Sequence, residues 1–273
     1  MSTPASDELP GDLSAALAAT VAERGVFGAR LIYRAEVGST NDLAAAAAER
    51  GEPEGTTFVA GAQTAGRGRL GRIWFSPCGA GLYLSTIVRR GSLAPWITLA
   101  GGVAVAEGIR AATALPVHIK WPNDIVAVGG AGFRARRKIA GILAEASSGP
   151  EGVQHVVLGV GINLLSAAFP PELADRASAI ETELGRAVDP GPVLAQVLAG
   201  LNRALADLDG AGPPALFARW LALSPSAHGA PIEWDTGAGA ATGITAGLAA
   251  DGALLARTTA GLQRIVSGEV RWR

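Results

Sequence analysis

The chain has 273 residues, 49% of them hydrophobic and 17% charged, with a formal net charge of -1 at pH 7. That length accommodates one large domain with a small appendage, or two modest domains, and the apolar fraction supports a substantial core rather than global disorder. Near-neutral charge argues against a general polyanion binder, and the single cysteine, Cys78, excludes a disulfide framework or a cysteine-rich zinc site.

Residues 1–11 read as a disordered lead, and 12–24 as a short helix that stops at Gly25. A strand over 31–37 ends in Gly38-Ser39-Thr40-Asn41-Asp42, where Ser39 or Thr40 caps an alanine-rich helix that stops at Gly51. Residues 56–62 form a short apolar strand, and 63–72 are polar, glycine-rich and basic. A strand over 81–88 precedes a long apolar helix over 94–114, followed by strands at 116–120, 125–128, 139–145 and 153–160. Residues 152–171 carry no formal charge, but Gln154, His155, Asn163 and a double proline argue against a membrane span. Helices follow near 192–208 and 214–223. After Pro225 the texture changes: β-like pieces around Ile232, Gly243, Leu254 and Ile265 alternate with Gly and Asp-Gly turns. This reads as a small all-β barrel that needs the larger domain for support. The pattern is α+β with a β appendage. The acidic start, MSTPASDELPGDL, has no apolar run behind a basic segment, so no signal peptide is expected and the location expected is cytoplasmic.

Arginine outnumbers lysine 21 to 2, so Lys120 and Lys138 stand out in a chain that uses arginine wherever any base will serve. A lysine places a compact point charge on a flexible stem, which a planar guanidinium does not reproduce. Three of the four asparagines, Asn41, Asn123 and Asn163, also lie in short polar segments between apolar strands.

Gly66-Arg67-Gly68-Arg69-Leu70-Gly71 matches the dinucleotide pattern G-x-G-x-x-G, but Arg72-Ile73-Trp74-Phe75-Ser76-Pro77 cannot open the required helix. Arg89 and Arg90 occupy the place where an acidic ribose ligand is needed. Two readings stay open: a mobile loop whose backbone and arginines receive phosphates, or a solvated basic hairpin tip. Lys120-Trp121-Pro122-Asn123-Asp124 is either a rigid strand end presenting Asp124 as a base or a plain Pro-Asn-Asp turn. Gly141, Gly159 and Gly161 are either places of close ligand approach or strand bulges. His118, His155 and His228 have no ligand-spaced partner and are read as structural, so no metal site is expected, and Cys78 has no recognisable base.

Taken in order, Gly38-Ser39-Thr40-Asn41, Gln63 through Gly71, Trp74-Phe75-Ser76-Pro77, Leu82-Tyr83-Leu84-Ser85, Lys120 through Asp124, Lys138 through Leu143 and Gly159 through Asn163 closely resemble biotin protein ligases. The likeness runs from about residue 31 to the C-terminus. It implies a class II synthetase-like catalytic domain, with a central mixed β-sheet flanked by helices, and an SH3-like C-terminal barrel. The expected divisions are a lead and short helix over 1–28, a catalytic domain over 29–225 and the barrel over 226–273. The implied activity uses ATP and Mg2+ to make biotinyl-5′-AMP, then biotinylates a lysine of the carrier domain of an acyl-CoA carboxylase.

The resemblance places biotin among Ser39, Thr40, Gln63, Gly66, Tyr83, Lys138, Gly141, Gly159 and Gly161. It places ATP among Arg67, Arg69, Trp74, Asn123, Asn163 and Arg273. Lys138, Arg67, Arg69 and Asp124 are the implied catalytic residues, with Lys138 at the α-phosphate and Asp124 handling the acceptor amine. Many bacterial relatives carry an N-terminal helix-turn-helix. The roughly 30 residues before the catalytic domain are too few for one, so no DNA binding is expected. Monomer and homodimer both stay open. Residues 129–137 look longer than the usual link and are read as a loop, disordered or contacting the acceptor. A lipoate or octanoate transferase shares the implied fold, but the 66–71 loop and the Trp-Pro-Asn-Asp segment favour biotin. A non-catalytic biotin sensor would not need Lys138, Arg67 and Arg69 together.

Overall fold

The computed structural model describes residues 7–128, 136–237 and 239–273. Short helices α1 (Gly11–Ala19) and α2 (Val21–Arg24) lead into β1 (Leu31–Val37), α3 (Thr40–Glu49), β2 (Thr57–Gln63) and β3 (Gly81–Val88). The long helix α4 (Ile97–Thr113) is followed by β4 (Val117–Lys120), β5 (Asp124–Ala127), β6 (Lys138–Gly149) and β7 (Gly152–Asn163). Helices α5 (Ile180–Leu184), α6 (Pro190–Gly210) and α7 (Pro213–Leu223) complete the larger unit.

The seven strands lie in the order β1-β2-β3-β7-β6-β5-β4, with β1 and β2 parallel and every other pairing antiparallel. This is the central mixed sheet that the family resemblance implies. Both of its faces are covered, which is why its central strands read as nearly continuous apolar runs. On one face, Ala44, Ala47 and Ala48 of α3 pack on Phe58, Ile87 and Val157. On the other, α4 lies close enough that a Cβ at Gly101 would meet Leu158 and Ile142 at 3.0 and 3.1 Å. The chain's wealth of Gly and Ala has a use here. Gly108 of α4 sits against Val197, and Gly200 of α6 against Ala104, so the two helix backbones approach closely. The segment Gly91–Thr113 is long and apolar enough to cross a membrane, but two-thirds of its most apolar stretch is buried in this core.

The last five strands, β8 (His228–Thr236), β9 (Gly239–Leu248), β10 (Leu254–Thr258), β11 (Gly261–Ile265) and β12 (Val270–Trp272), form the SH3-like unit in the order β11-β10-β9-β8-β12. Its small core of Ile232, Trp234, Leu254, Ala256, Ile265 and Val270 is continuous with the main one. Trp121 Nε1 donates to Gly252 O at 3.1 Å and Lys120 Nζ lies 4.9 Å over the Trp272 ring, and these contacts seat it. A unit this small gains its stability by such docking.

Several expectations need correction. The lead is ordered from Asp7, whose carboxylate accepts the Ala35 N–H at 3.0 Å, and α1 begins at Gly11; residues 1–6 lie outside the described residues. The expected helix over 12–24 breaks at Thr20, whose hydroxyl donates back to Ala16 O at 3.0 Å. The helix expected from residue 94 begins at Ile97, because Pro95 sits in a 3₁₀ turn before it. Strands β6 and β7 extend well past their apolar segments, since the hairpin keeps pairing out to Gly149 and Gly152. The five-residue α5 carries no periodic signal and buries only Ile180. Of the expected loop over 129–137, residues 129–135 lie outside the described residues.

Trp220 of α7 is fully buried. Trp220→Ala is expected to cost about 3–5 kcal/mol of unfolding free energy, read by urea denaturation. Burial, with Arg136 and Arg110 adding to it, lowers the His118 pKa from 6.5 to about 4. The unfolded chain therefore takes up this proton more readily. The stability His118 contributes is complete above pH 6.5 and is lost as the pH falls toward 4. A His118→Gln variant is expected to show a shallower loss of stability between pH 6.5 and 4 than the parent chain.

Candidate functional site

Alternation along the strands puts Ser85 of β3, Gly159 and Gly161 of β7, and Gly141 and Glu145 of β6 on one face of the sheet, the face that carries α3. With no side chains at the three glycines, the sheet backbone forms the floor of a slot. Its walls are Ser39, Thr40, Asn41, Gln63, Asn123 and Lys138, and the loop from Arg67 to Trp74 closes over it. A larger cleft of about 590 Å³ adjoins it, lined by residues 64–73 with Leu143 and Glu145.

The N-terminus of α3 supplies one wall. Ser39 caps the helix, its Oγ accepting the Asn41 N–H at 3.2 Å. The Thr40 N–H donates to Gln63 Oε1 at 2.9 Å, and Gln63 Nε2 donates to Ser76 Oγ at 2.9 Å, so the amide is held from both ends.

The loop folds as a narrow hairpin: Trp74 N–H donates to Gly66 O at 2.9 Å and Gly68 N–H to Arg72 O at 2.8 Å. A Cβ at Gly66 would lie 2.3 Å from Trp74 O, so no larger residue fits that turn. Its arginines are not merely solvated. Arg67 pairs with Asp42 at 2.6 Å and with Glu145, Arg69 donates to Asn123 Oδ1 at 3.1 Å, and Arg72 reaches Glu269 before β12 at 2.5 Å. Hydrogen bonding to Asp42 raises the Arg67 pKa, whereas burial lowers that of Arg69 against the opposing charge of Asp124. The structure thus favours a charged loop docked on the fold over a free hairpin tip.

Lys138 Nζ and Asp124 Oδ1 form an ion pair of 2.7 Å at the slot's edge, and the same Nζ lies 5.0 Å over the Trp74 ring. Asn123 is locked by its Nδ2 donating to Ile142 O at 2.7 Å. Trp74 lies across the glycine floor: a Cβ at Gly161 would fall 2.3 Å from its Nε1, and one at Gly141 2.9 Å from its Cζ3. The slot left around the indole is only about 50 Å³, so a ligand much larger than water must displace the ring. Trp74 Nε1 is buried with no protein partner.

Most of the residues singled out in the sequence meet here: Ser39, Thr40, Gln63, Arg67, Arg69, Trp74, Asn123, Lys138, Gly141, Gly159 and Gly161 line the slot, with Gly66 in the adjoining cleft and Asp124 on Lys138. Three others lie away from it. Tyr83 is wholly buried beside it on the same sheet face, its hydroxyl donating to Pro77 O at 3.1 Å, with burial raising its pKa. Asn163 donates to Ser178 O at 3.0 Å and holds the segment before α5. Arg273 is exposed at the end of the barrel, its N–H on Pro231 O. Glu145 and Glu269, which anchor the loop, carry no sequence signal, because their partners are distant in the chain.

Residues 35–163 match the model of the biotin/lipoate A/B protein ligase family, and residues 228–271 that of the biotin protein ligase C-terminal domain. The chain is 34% identical over 266 residues to the bifunctional ligase/repressor BirA of Bacillus spizizenii, covering 96% of this chain and 79% of that protein. It is 38% identical over 218 residues to the biotin–[acetyl-CoA-carboxylase] ligase of Paracoccus denitrificans, covering 76% and 86%. Among solved structures, the biotin protein ligase from Aquifex aeolicus in complex with biotin and ATP superposes with a TM-score of 0.73 at 31% identity, covering 90% of this chain and 99% of that one.

Gly161 has no positive φ, so alanine fits its backbone but not the indole above it. Gly161→Ala is expected to expel Trp74 into solvent, shifting tryptophan emission to the red with an unchanged far-ultraviolet spectrum. The shift should vanish when Trp74→Phe is also present.

Proposed function

The chain belongs to the biotin protein ligase family, and from that membership we propose which of its residues carry the reaction. The enzyme activates biotin with ATP as biotinyl-5′-AMP and transfers the biotinyl group to a lysine of the carrier domain of an acyl-CoA carboxylase. The observation that carries the assignment of residues is the glycine-floored slot with the Lys138–Asp124 pair at its edge and the loop arginines above it.

A carboxylate is a poor electrophile. In the first step a biotin carboxylate oxygen attacks the α-phosphorus of ATP, the bond to the bridging oxygen breaks, and pyrophosphate leaves. Biotin lies along Gly141, Gly159 and Gly161, with its polar head among Ser39, Thr40 and Gln63, and it displaces Trp74 toward the nucleotide. Lys138, Arg67 and Arg69 meet the charge that grows at phosphorus. One fixed cation of this kind is worth roughly 3–4 kcal/mol, by comparison with the loss of an oxyanion donor. Asn123 orients Arg69 and lies beside the nucleotide. Among the described residues no group of three His, Cys, Asp or Glu side chains is placed to hold a metal ion, so Mg2+ is proposed to arrive on the ATP phosphates.

In the second step the acceptor lysine must lose a proton, since an amine of pKa about 10.4 is charged at pH 7. Asp124 takes that role once Lys138 has turned to the phosphate. The neutral amine then attacks the acyl carbon, and AMP leaves. The loop shields the adenylate from water in the interval. Residues 29–225 are proposed as the catalytic unit and 226–273 as the barrel, in keeping with the short connection between α7 and β8.

Lys138→Ala is expected to fold normally and to lose about 100- to 1,000-fold in biotin-dependent pyrophosphate release. Mass spectrometry of a supplied carrier domain should show a biotin-sized gain that needs ATP, biotin and the parent enzyme together. Normal adenylation by a folded Lys138→Ala protein would remove Lys138 from this role.

A further inference from the structure

The reaction scheme leaves one of the chain's two lysines unused: Lys138 is assigned to the α-phosphate, whereas Lys120 lies over Trp272 of the barrel. The ladder nevertheless puts Lys120 in the site's own row. Tyr83 of β3 faces Gly161 of β7, Gly161 faces Gly141 of β6, Gly141 faces Asp124 of β5, and Asp124 faces Lys120 of β4. Residues directly opposite in antiparallel strands share a face, with Cβ atoms about 4.5–5.5 Å apart. The glycine floor therefore continues through Asp124 to Lys120, where Trp272 meets the sheet.

Charge at that end of the row is unbalanced. Both carboxylates that act on Lys120 are already paired, Asp124 with Lys138 at 2.7 Å and Glu269 with Arg72 at 2.5 Å. Among the described residues Lys120 has no ion-pair partner of its own. Its ammonium rests 4.9 Å over the Trp272 ring, and the Arg136 guanidinium lies 5.7 Å from the same ring. Lys138 and Arg271 add further positive charge. Burial lowers the Lys120 pKa, and the attraction of Asp124 and Glu269 does not offset it. A half-buried cation whose neighbouring carboxylates are occupied is suited to receive an anion. Packing does not call for the charge, since an apolar stem of similar length would cover Trp272 as well.

On the ligase reading, on which this inference rests, the row gives the first step a direction. Attacking and leaving oxygens lie roughly in line through phosphorus. Biotin approaches from the glycine floor and Lys138 meets the α-phosphate, so the leaving group departs toward the far end of the row. As the bond from the α-phosphorus to the bridging oxygen breaks, its electron pair goes with pyrophosphate. We propose that Lys120 is a further catalytic residue, which binds the β- and γ-phosphates of ATP and receives that charge. The second step expels AMP and no pyrophosphate, so Lys120 serves the first step alone. Trp272 gives the barrel a part in adenylation by holding the ammonium on the leaving-group side.

Lys120→Met keeps the stem and removes the charge. Pyrophosphate release with biotin and ATP should fall about 10- to 100-fold, and the inhibition constant for added pyrophosphate should rise by a similar factor. Transfer from supplied biotinyl-5′-AMP to a carrier domain should run at the parental rate. Lys120→Arg should recover part of the loss in the first step. Parental pyrophosphate release by folded Lys120→Met overturns the inference, as does an equal loss in both steps, which a loosened barrel would give. Should Lys120→Met not fold, the parent chain decides by NMR. Lysine isotope-labelled at Cε gives two signals, and Lys138→Ala identifies the one from Lys120. Saturable movement of that signal on titration with inorganic pyrophosphate supports the proposal, and a signal that stays in place overturns it. A parent chain that releases no pyrophosphate with biotin and ATP overturns the ligase reading, and this inference with it.

Discussion

In the register of β3, β7 and β6, Tyr83 faces Gly161, which in turn faces Gly141, and two residues along Ser85 faces Gly159. Three adjacent positions on one face of a covered sheet thus lack side chains, at the place where α3 begins and β2 ends. Everything else about the site follows from that gap. The loop's indole can lie flat on backbone, and Lys138 can stand over it. The Cβ of an alanine at Gly159 would lie 2.1 Å from Asn41 Oδ1, so the same gap also makes room for Asn41 in the wall. Backbone at the floor offers a flat surface with little rotamer freedom to lose on binding, which suits a small bicyclic ligand.

Charge organises the cover. The three loop arginines are each bound by a different part of the chain: Arg67 by α3 and β6, Arg69 by the turn before β5, and Arg72 by the C-terminal barrel. Most of these pairs are partly exposed, so each contributes modestly to stability. Their greater effect is geometric, since they bring cations over the slot while carboxylates hold their place. On the proposed reading a phosphate would compete for these arginines directly, and the cover would respond to an anionic ligand. The barrel takes part through Glu269 and is also seated beside Lys120 through Trp272.

Much of the fold was legible because it rests on local patterns. Strand 31–37, the Ser39 cap and strand 81–88 are set by alternation and by capping chemistry, and they lie where those patterns put them. The ends of β6 and β7 were not legible, because their outer pairs are held by the hairpin ladder rather than by apolar burial. The break at Thr20 was likewise hidden, since a helical pattern runs through it and only the buried side chain of Arg24, bonded to Leu17 O and Phe27 O, decides the path.

For the site the division is similar. Residue types that are rare in this arginine-, alanine- and glycine-rich chain, such as Lys138, Gln63 and Asn123, announced themselves by their rarity and by short-range motifs. The sequence alone therefore determined the family likeness, the mixed sheet with its β appendage, and most of the slot's lining. Only the tertiary structure decided that Tyr83 and Asn163 brace the site from outside the slot, and that Trp74 lies on the glycine floor. It alone joined Glu145 to Asn41 across 104 residues and Arg72 to Glu269 across 197. The physical reason is range. Capping, alternation and turn chemistry act between neighbours in the chain, whereas an ion pair or a side-chain hydrogen bond of this kind exists only once distant strands have been brought into register.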